Sequence, residues 1–163
     1  MLDIKIRKLR ESAKLPKHVG GNTKSCWMDL YASKIEVIPE YGQPRVITEH
    51  GDTINYNAGD VVKVKFGVAM ELPEGYEGYI VPRSSTFKNY GLLLTNSHGV
   101  IDEAYAGDTD EWMGMFLATR DGSINIGDRP AQFRVQQKMP EVNFIEVDKL
   151  ENSNRGGYGT SGK

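Results

Sequence analysis

Apolar and polar residues alternate along much of this chain. Leu2, Ile4 and Ile6 fall on one face against Asp3, Lys5 and Arg7, and Val62, Val64, Phe66, Val68 and Met70 do the same against Lys63 and Lys65. That period of two is what a half-buried strand requires. Shorter runs predict further strands at 35–38, 79–81, 92–94, 113–118, 131–136 and 142–147. Turn residues separate them at Gly42-Gln43-Pro44, Asn57-Ala58-Gly59-Asp60, Leu72-Pro73-Glu74-Gly75, Asp121-Gly122 and Ile126-Gly127-Asp128. Helix is confined to one or two turns from Ser84 or Ser85 to Tyr90, stopped by Gly91 in the C-cap position. The pattern predicts an all-β fold, a jelly-roll-like β-barrel or sandwich. It places one β domain over residues 1–150, with 41–57 as an inserted hairpin or loop outside the core. Residues 151–163 read as a flexible glycine-rich arm, too poor in apolar surface to order itself without a ligand or a neighbouring subunit.

Composition narrows the class. A chain of 163 residues supports one core and buries roughly 70% of its unfolded surface. Twenty Lys+Arg against 22 Asp+Glu leave a formal charge of −2, which excludes the overall basic field that recruits nucleic acid. An anionic ligand must therefore be held by a local site. The lone Cys26 cannot form an internal disulfide, which points to a reducing compartment, the cytoplasm. No apolar run approaches the roughly 18 residues of a membrane span, and the alternating N-terminus lacks a signal-peptide profile.

Several segments carry candidate chemistry. Pro82-Arg83-Ser84-Ser85-Thr86 combines a cation with three hydroxyls, suited either to phosphate or to an N-cap in which Ser84 or Ser85 satisfies helix amides. Gly99-Val100-Ile101-Asp102-Glu103-Ala104-Tyr105 sets acids after a β-like pair, where a carboxylate can act as general base on water or lie in a solvated turn. The tail matches G-x-G-x-x-G at 157–162 without opening a helix, so it is no dinucleotide fingerprint. Its Arg155, Tyr158, Thr160 and Ser161 remain able to wrap an anion and stack on a base. Asp108-Thr109-Asp110-Glu111-Trp112 reads as a solvated acidic loop, Trp27 and Trp112 as packing residues, and His18, His50 and His98 lack a metal-ligand pattern.

The order of these segments is more specific than any one of them. Met28-Asp29-Leu30-Tyr31-Ala32, Pro82-Arg83-Ser84-Ser85, Asn96 with Gly99-Val100-Ile101-Asp102 and Tyr105, Gly127-Asp128-Arg129-Pro130-Ala131-Gln132, and Arg155 to Gly162 resemble the five ordered motifs of the trimeric deoxyuridine triphosphatase (dUTPase) family. The resemblance implies a jelly-roll-like homotrimer that hydrolyses dUTP to dUMP and pyrophosphate with Mg²⁺, each active site drawing on three subunits. By position, Asp102 resembles the carboxylate that activates water, with Ser84 and Gln132 as its catalytic partners. Arg83 and Ser85 resemble phosphate contacts, and Asp29 the residue that meets the metal through water. Asn96 and the backbone of Gly99, Val100 and Ile101 would read uracil, and Tyr105 would lie under the deoxyribose and reject a 2′-hydroxyl. Tyr158 stands where the family places a Phe over the base, with Arg155, Gly159, Thr160 and Ser161 toward the γ-phosphate. The resemblance implies neither nucleic acid nor membrane as a partner. The pattern departs from the family's at Cys26-Trp27-Met28 before Asp29 and at Ala104, where an acid is expected. Two rival classes share the fold: a dCTP deaminase or bifunctional relative, and a non-catalytic nucleotide-binding regulator.

Overall fold

The computed structural model describes residues 2–21, 24–40, 46–49 and 53–157. Among them lie β1 (Lys5–Lys8), β2 (Lys17–His18), β3 (Met28–Leu30), β4 (Lys34–Ile38), β5 (Val46–Thr48), β6 (Thr53–Tyr56), β7 (Val61–Glu71) and β8 (Tyr76–Pro82). The helix α1 (Thr86–Tyr90) follows, then β9 (Leu92–Leu94), β10 (Gly99–Ile101), β11 (Glu111–Ala118), β12 (Gly122–Asn125) and β13 (Ala131–Gln137). No helix among the described residues is long and apolar enough to cross a membrane.

Two antiparallel sheets face one another. The first runs β5-β4-β7-β11-β9 with β1 also paired to β7, the second runs β10-β8-β13-β3-β2, and β6 with β12 forms a small third sheet. Neither large sheet closes on itself, so the architecture is a sandwich and not a barrel. The alternation in β7 sends Val62, Val64, Phe66, Val68 and Met70 inward, where all are buried. Each such side chain contributes roughly 1.5–3 kcal/mol on leaving water. Trp112 of β11 meets Phe133 of β13 edge to face, ring centroids 5.1 Å apart, and so ties one sheet to the other.

α1 ends where the glycine predicts, Gly91 taking φ 67° and donating its N–H to the Phe87 carbonyl. Its start differs from the N-cap reading. Ser85 occupies the cap position but makes no side-chain cap bond, and Ser84 is exposed. The turn is held instead by buried Thr86, whose Oγ1 accepts from the Arg83 amide at 3.0 Å and donates to the Pro130 carbonyl at 2.7 Å.

Three other expectations are corrected. Residues 142–147 form no strand, and Val142, Phe144, Ile145 and Val147 are exposed; their alternation has no partner strand among the described residues. The 41–57 stretch is not a free insertion over its described part. β5 pairs with β4, while β6 pairs with β12 and buries Ile54 and Tyr56 in the core. The acidic stretch after Gly107 is not wholly solvated either. Glu111 and Trp112 begin β11 and are both buried.

Candidate active site

Three of the predicted segments converge on one end of the second sheet. Gln132 of β13 pairs with Asp29 of β3 on one side and with Val81 of β8 on the other. Antiparallel partners project to the same face, so Gln132 stands beside Asp29 near the end of β8, its Nε2 donating to the Pro82 carbonyl at 3.4 Å. Arg83 and Ser84 follow Pro82 directly.

Asp29 is nearly inaccessible, with 1% exposure, and it is held by two cations. Arg129 Nη1 donates to Oδ2 at 3.0 Å. Arg83 Nε lies 2.8 Å from Oδ1, close enough to pair in charge, although its N–H is not aligned and Oδ1 accepts no hydrogen bond. Two guanidinium groups on one carboxylate leave a net positive shelf, and Ser84 and Ser85 follow Arg83 in the chain, Ser85 making no side-chain cap bond. A shelf of this kind suits phosphate oxygens, which take charge-assisted bonds from planar Arg donors. Arg129 was not singled out from the sequence. Only its place beside Asp29 in the fold gives it a role.

The segment from Asn96 to Tyr105 builds a second region. β9 belongs to the first sheet and β10 to the second, so the loop between them crosses the sandwich edge. A cavity of about 280 Å³ there is lined by Ile80, Leu94, Thr95, Asn96, Gly99 and Met115, among others. Gly99 allows this close packing, since a Cβ on it would stand 3.2 Å from Ile80 Cβ. β10 is the edge strand of its sheet, so alternate residues of Gly99–Ile101 present unpaired backbone N–H and C=O groups along its free side, the donors and acceptors that a base edge requires. His98 stacks at a tilt on Tyr79 with centroids 5.4 Å apart, a packing role. Tyr105 is half-buried against the core, its amide donating to the Asp102 carbonyl at 3.0 Å and its hydroxyl to the Glu111 carbonyl at 3.1 Å. Burial, with Asp110 and Glu111 nearby, raises its pKa and keeps the hydroxyl a donor.

These two regions do not meet within one chain. Ile101, the residue before exposed Asp102, pairs with Gly78 near the start of β8, whereas Arg83 and Ser84 follow its far end. At about 3.3 Å per residue, Asp102 and Ser84 stand roughly 15–20 Å apart. Arg155 lies in an exposed stretch without regular structure, and Tyr158, Gly159, Thr160 and Ser161 lie outside the described residues.

No group of three or more His, Cys, Asp or Glu side chains among the described residues is placed to hold a metal ion. Both oxygens of Asp29 are buried and paired in charge with Arg83 and Arg129, so the carboxylate offers no direct ligand position. The shelf therefore fits Mg²⁺ only as an ion brought in on phosphate oxygens, with its water shell largely kept, and not as a protein-caged ion.

A sandwich with a cationic shelf at one strand end and a loop and edge strand beside a small cavity defines a β-sandwich protein equipped for an anionic small ligand. Comparison with known proteins makes this specific. The dUTPase family model matches residues 52–162. The SPbeta prophage-derived deoxyuridine 5'-triphosphate nucleotidohydrolase YosS of Bacillus subtilis is 53% identical over 122 residues, covering 70% of this chain and 86% of that protein. The deoxyuridine 5'-triphosphate nucleotidohydrolase of Anaplasma marginale is 34% identical over 167 residues, covering 99% of each. Among solved structures, a variant Staphylococcus bacteriophage 80alpha dUTPase with dUpNHpp superposes with a TM-score of 0.72 at 16% identity, covering 99% of each chain. The chain belongs to the dUTPase family.

Proposed function

We propose that this chain hydrolyses dUTP to dUMP and pyrophosphate, with Asp102 activating the water that attacks the α-phosphate. The observation that carries the reading is the shelf of Arg83, Asp29 and Arg129, next in sequence to Ser84 and Ser85, in a chain of this family. Arg83 and Arg129 neutralise triphosphate charge, while Ser84, Ser85 and Gln132 donate hydrogen bonds to phosphate oxygens or to the attacking water. Water attacks the α-phosphorus, its proton passes to an Asp102 carboxylate oxygen, and the bond to the bridging oxygen breaks so that pyrophosphate leaves. Mg²⁺ bound with the triphosphate would supply further charge neutralisation, with Asp29 meeting it through water. Asn96 and the free edge of β10 read uracil, Tyr105 lies against the deoxyribose, and Arg155, Tyr158, Gly159, Thr160 and Ser161 close over the base and γ-phosphate, excluding bulk water.

The separation of Asp102 from Ser84 and Arg83 supports a site shared between copies, and a homotrimer is the assembly that cyclic closure and the five ordered motifs favour. Exposed Val142, Phe144, Ile145, Val147 and Leu150 add apolar surface that a neighbouring copy can cover. The unpaired Cys26 is in keeping with a cytoplasmic setting.

The test is incubation of the protein with Mg²⁺ and, separately, dUTP, dCTP, dTTP and UTP, followed by chromatographic identification of products. Release of dUMP and pyrophosphate from dUTP alone is the expected result. Ammonia from dCTP would assign the chain to the deaminases, and binding without turnover to the regulators.

A further inference from the structure

Glu111 is a buried carboxylate that the proposed reaction does not use. Its side chain is fully occupied. Arg10 grips it with both terminal nitrogens, Nη1 to Oε1 at 2.5 Å and Nη2 to Oε2 at 2.8 Å, and the Gly67 amide donates to Oε1 at 2.9 Å. Lys65 Nζ stands 3.9 Å from Oε2. The carboxylate in turn raises the pKa of Arg10 above its ordinary value, chiefly through that hydrogen bond. A buried carboxylate needs donors of this kind to compensate its charge, and with both oxygens held the residue's backbone is held with them. The carbonyl of this same residue accepts the hydroxyl of Tyr105. The intervening loop is tied to the same N-terminal segment, since Arg7 Nη1 lies 3.3 Å from Asp108 Oδ2.

We propose that Arg10 and Glu111 are positioning residues for Tyr105: their ion pair fixes the Glu111 carbonyl, the carbonyl fixes the tyrosine hydroxyl, and the ring is thereby stiff enough to reject a ribose. The inference rests on the reading of Tyr105 as the residue against the deoxyribose. Exclusion by contact works only if the ring cannot yield, because a 2′-hydroxyl needs little extra room and a ring free to tilt supplies it. The backbone amide of Tyr105 is fixed on the Asp102 carbonyl and its hydroxyl on the Glu111 carbonyl, so the ring is tied at both the main chain and its far end. Arg10 lies before the stretch that the family model matches, so the motifs by themselves give no sign of it.

The experiment measures kcat/KM for dUTP and for UTP in the full-length protein and in Tyr105→Phe, Glu111→Gln, Arg10→Gln and Tyr105→Ala, with melting temperature recorded for each. Tyr105→Phe removes the hydroxyl anchor and leaves the ion pair intact. It should lower the dUTP-to-UTP ratio about tenfold, the scale of one lost hydrogen bond, with little change in melting temperature. Glu111→Gln and Arg10→Gln should lower the ratio by a similar factor, and combining Glu111→Gln with Tyr105→Phe should add little further, since both act through one contact. A merely structural ion pair would lower the melting temperature in those two variants and leave the ratio alone, and that result overturns the proposal, as does an unchanged ratio in Tyr105→Phe. If the ratio survives even Tyr105→Ala, the placement of Tyr105 against the sugar fails first. If it collapses there and nowhere else, that placement stands and only the anchor is wrong.

Discussion

The distance between Asp102 and Ser84 makes a shared site testable by mixing two damaged chains. Asp102→Asn removes the proposed base and Ser84→Ala a proposed phosphate contact. Both side chains are exposed, so neither change should shift stability by more than about 0.5 kcal/mol. Each variant alone should fall to about 1% of the parent turnover or lower, the usual worth of a general base or a transition-state donor. If one site takes Asp102 from one copy and Ser84 from another, random reassortment of equal amounts makes each residue intact with a chance of one half, so about one site in four is whole. The mixture should then recover about a quarter of the parent rate, roughly 25-fold above either variant. The assay is pyrophosphate release from dUTP after co-refolding of the two chains, with differently tagged copies showing that mixed assemblies formed. If mixed assemblies work no faster than the mean of the two parents, Asp102 and Ser84 act in the same copy or not at all, and the reasoning from β8 fails.

Asp102→Asn on its own should retain affinity for a non-hydrolysed dUTP analogue by calorimetry while losing about 10² or more in kcat; weak binding with normal kcat would contradict its role. Arg83→Ala leaves buried Asp29 with Arg129 alone and should cost about 1–3 kcal/mol in urea unfolding, besides raising KM; unchanged stability would mean that the shelf is not preformed. Chelation of Mg²⁺ should abolish turnover without moving the melting temperature, since no carboxylate cluster among the described residues holds an ion in the fold; a lower melting temperature would reveal a structural metal. Truncation after Glu151 should leave the melting temperature nearly unchanged, because residues 151–157 are exposed, yet lower kcat/KM severely, and Tyr158→Ala alone should lose about 1–3 kcal/mol of transition-state binding. Full activity in the truncated chain would show the arm to be inert.

The sequence by itself determined the class of fold and the chemistry on offer. Period-two patterning in β7, β8, β11 and β13 is a local property, since alternate side chains on any extended strand face opposite ways, and those strands lie where the alternation puts them. α1 was legible for the same reason, its end being set by a glycine. The ordered motifs named the residue types that a nucleotide site needs, and membership of the dUTPase family agrees with that reading. Tertiary structure decided what those residues touch. Residues 142–147 alternate as a strand does, but a strand exists only where a neighbour completes its hydrogen bonds, and none among the described residues does so. β12 was hidden because Asp121-Gly122 reads as a turn, and only pairing with β6 extends the backbone there. Arg129 and Arg10 look like any surface cations in the sequence. Their roles arise because the fold brings each, across 100 and 101 residues of chain, onto a carboxylate that burial would otherwise leave uncompensated. The gap between Asp102 and Ser84 was likewise invisible, because motif order says which residues a site uses, while strand register sets how far apart one copy holds them.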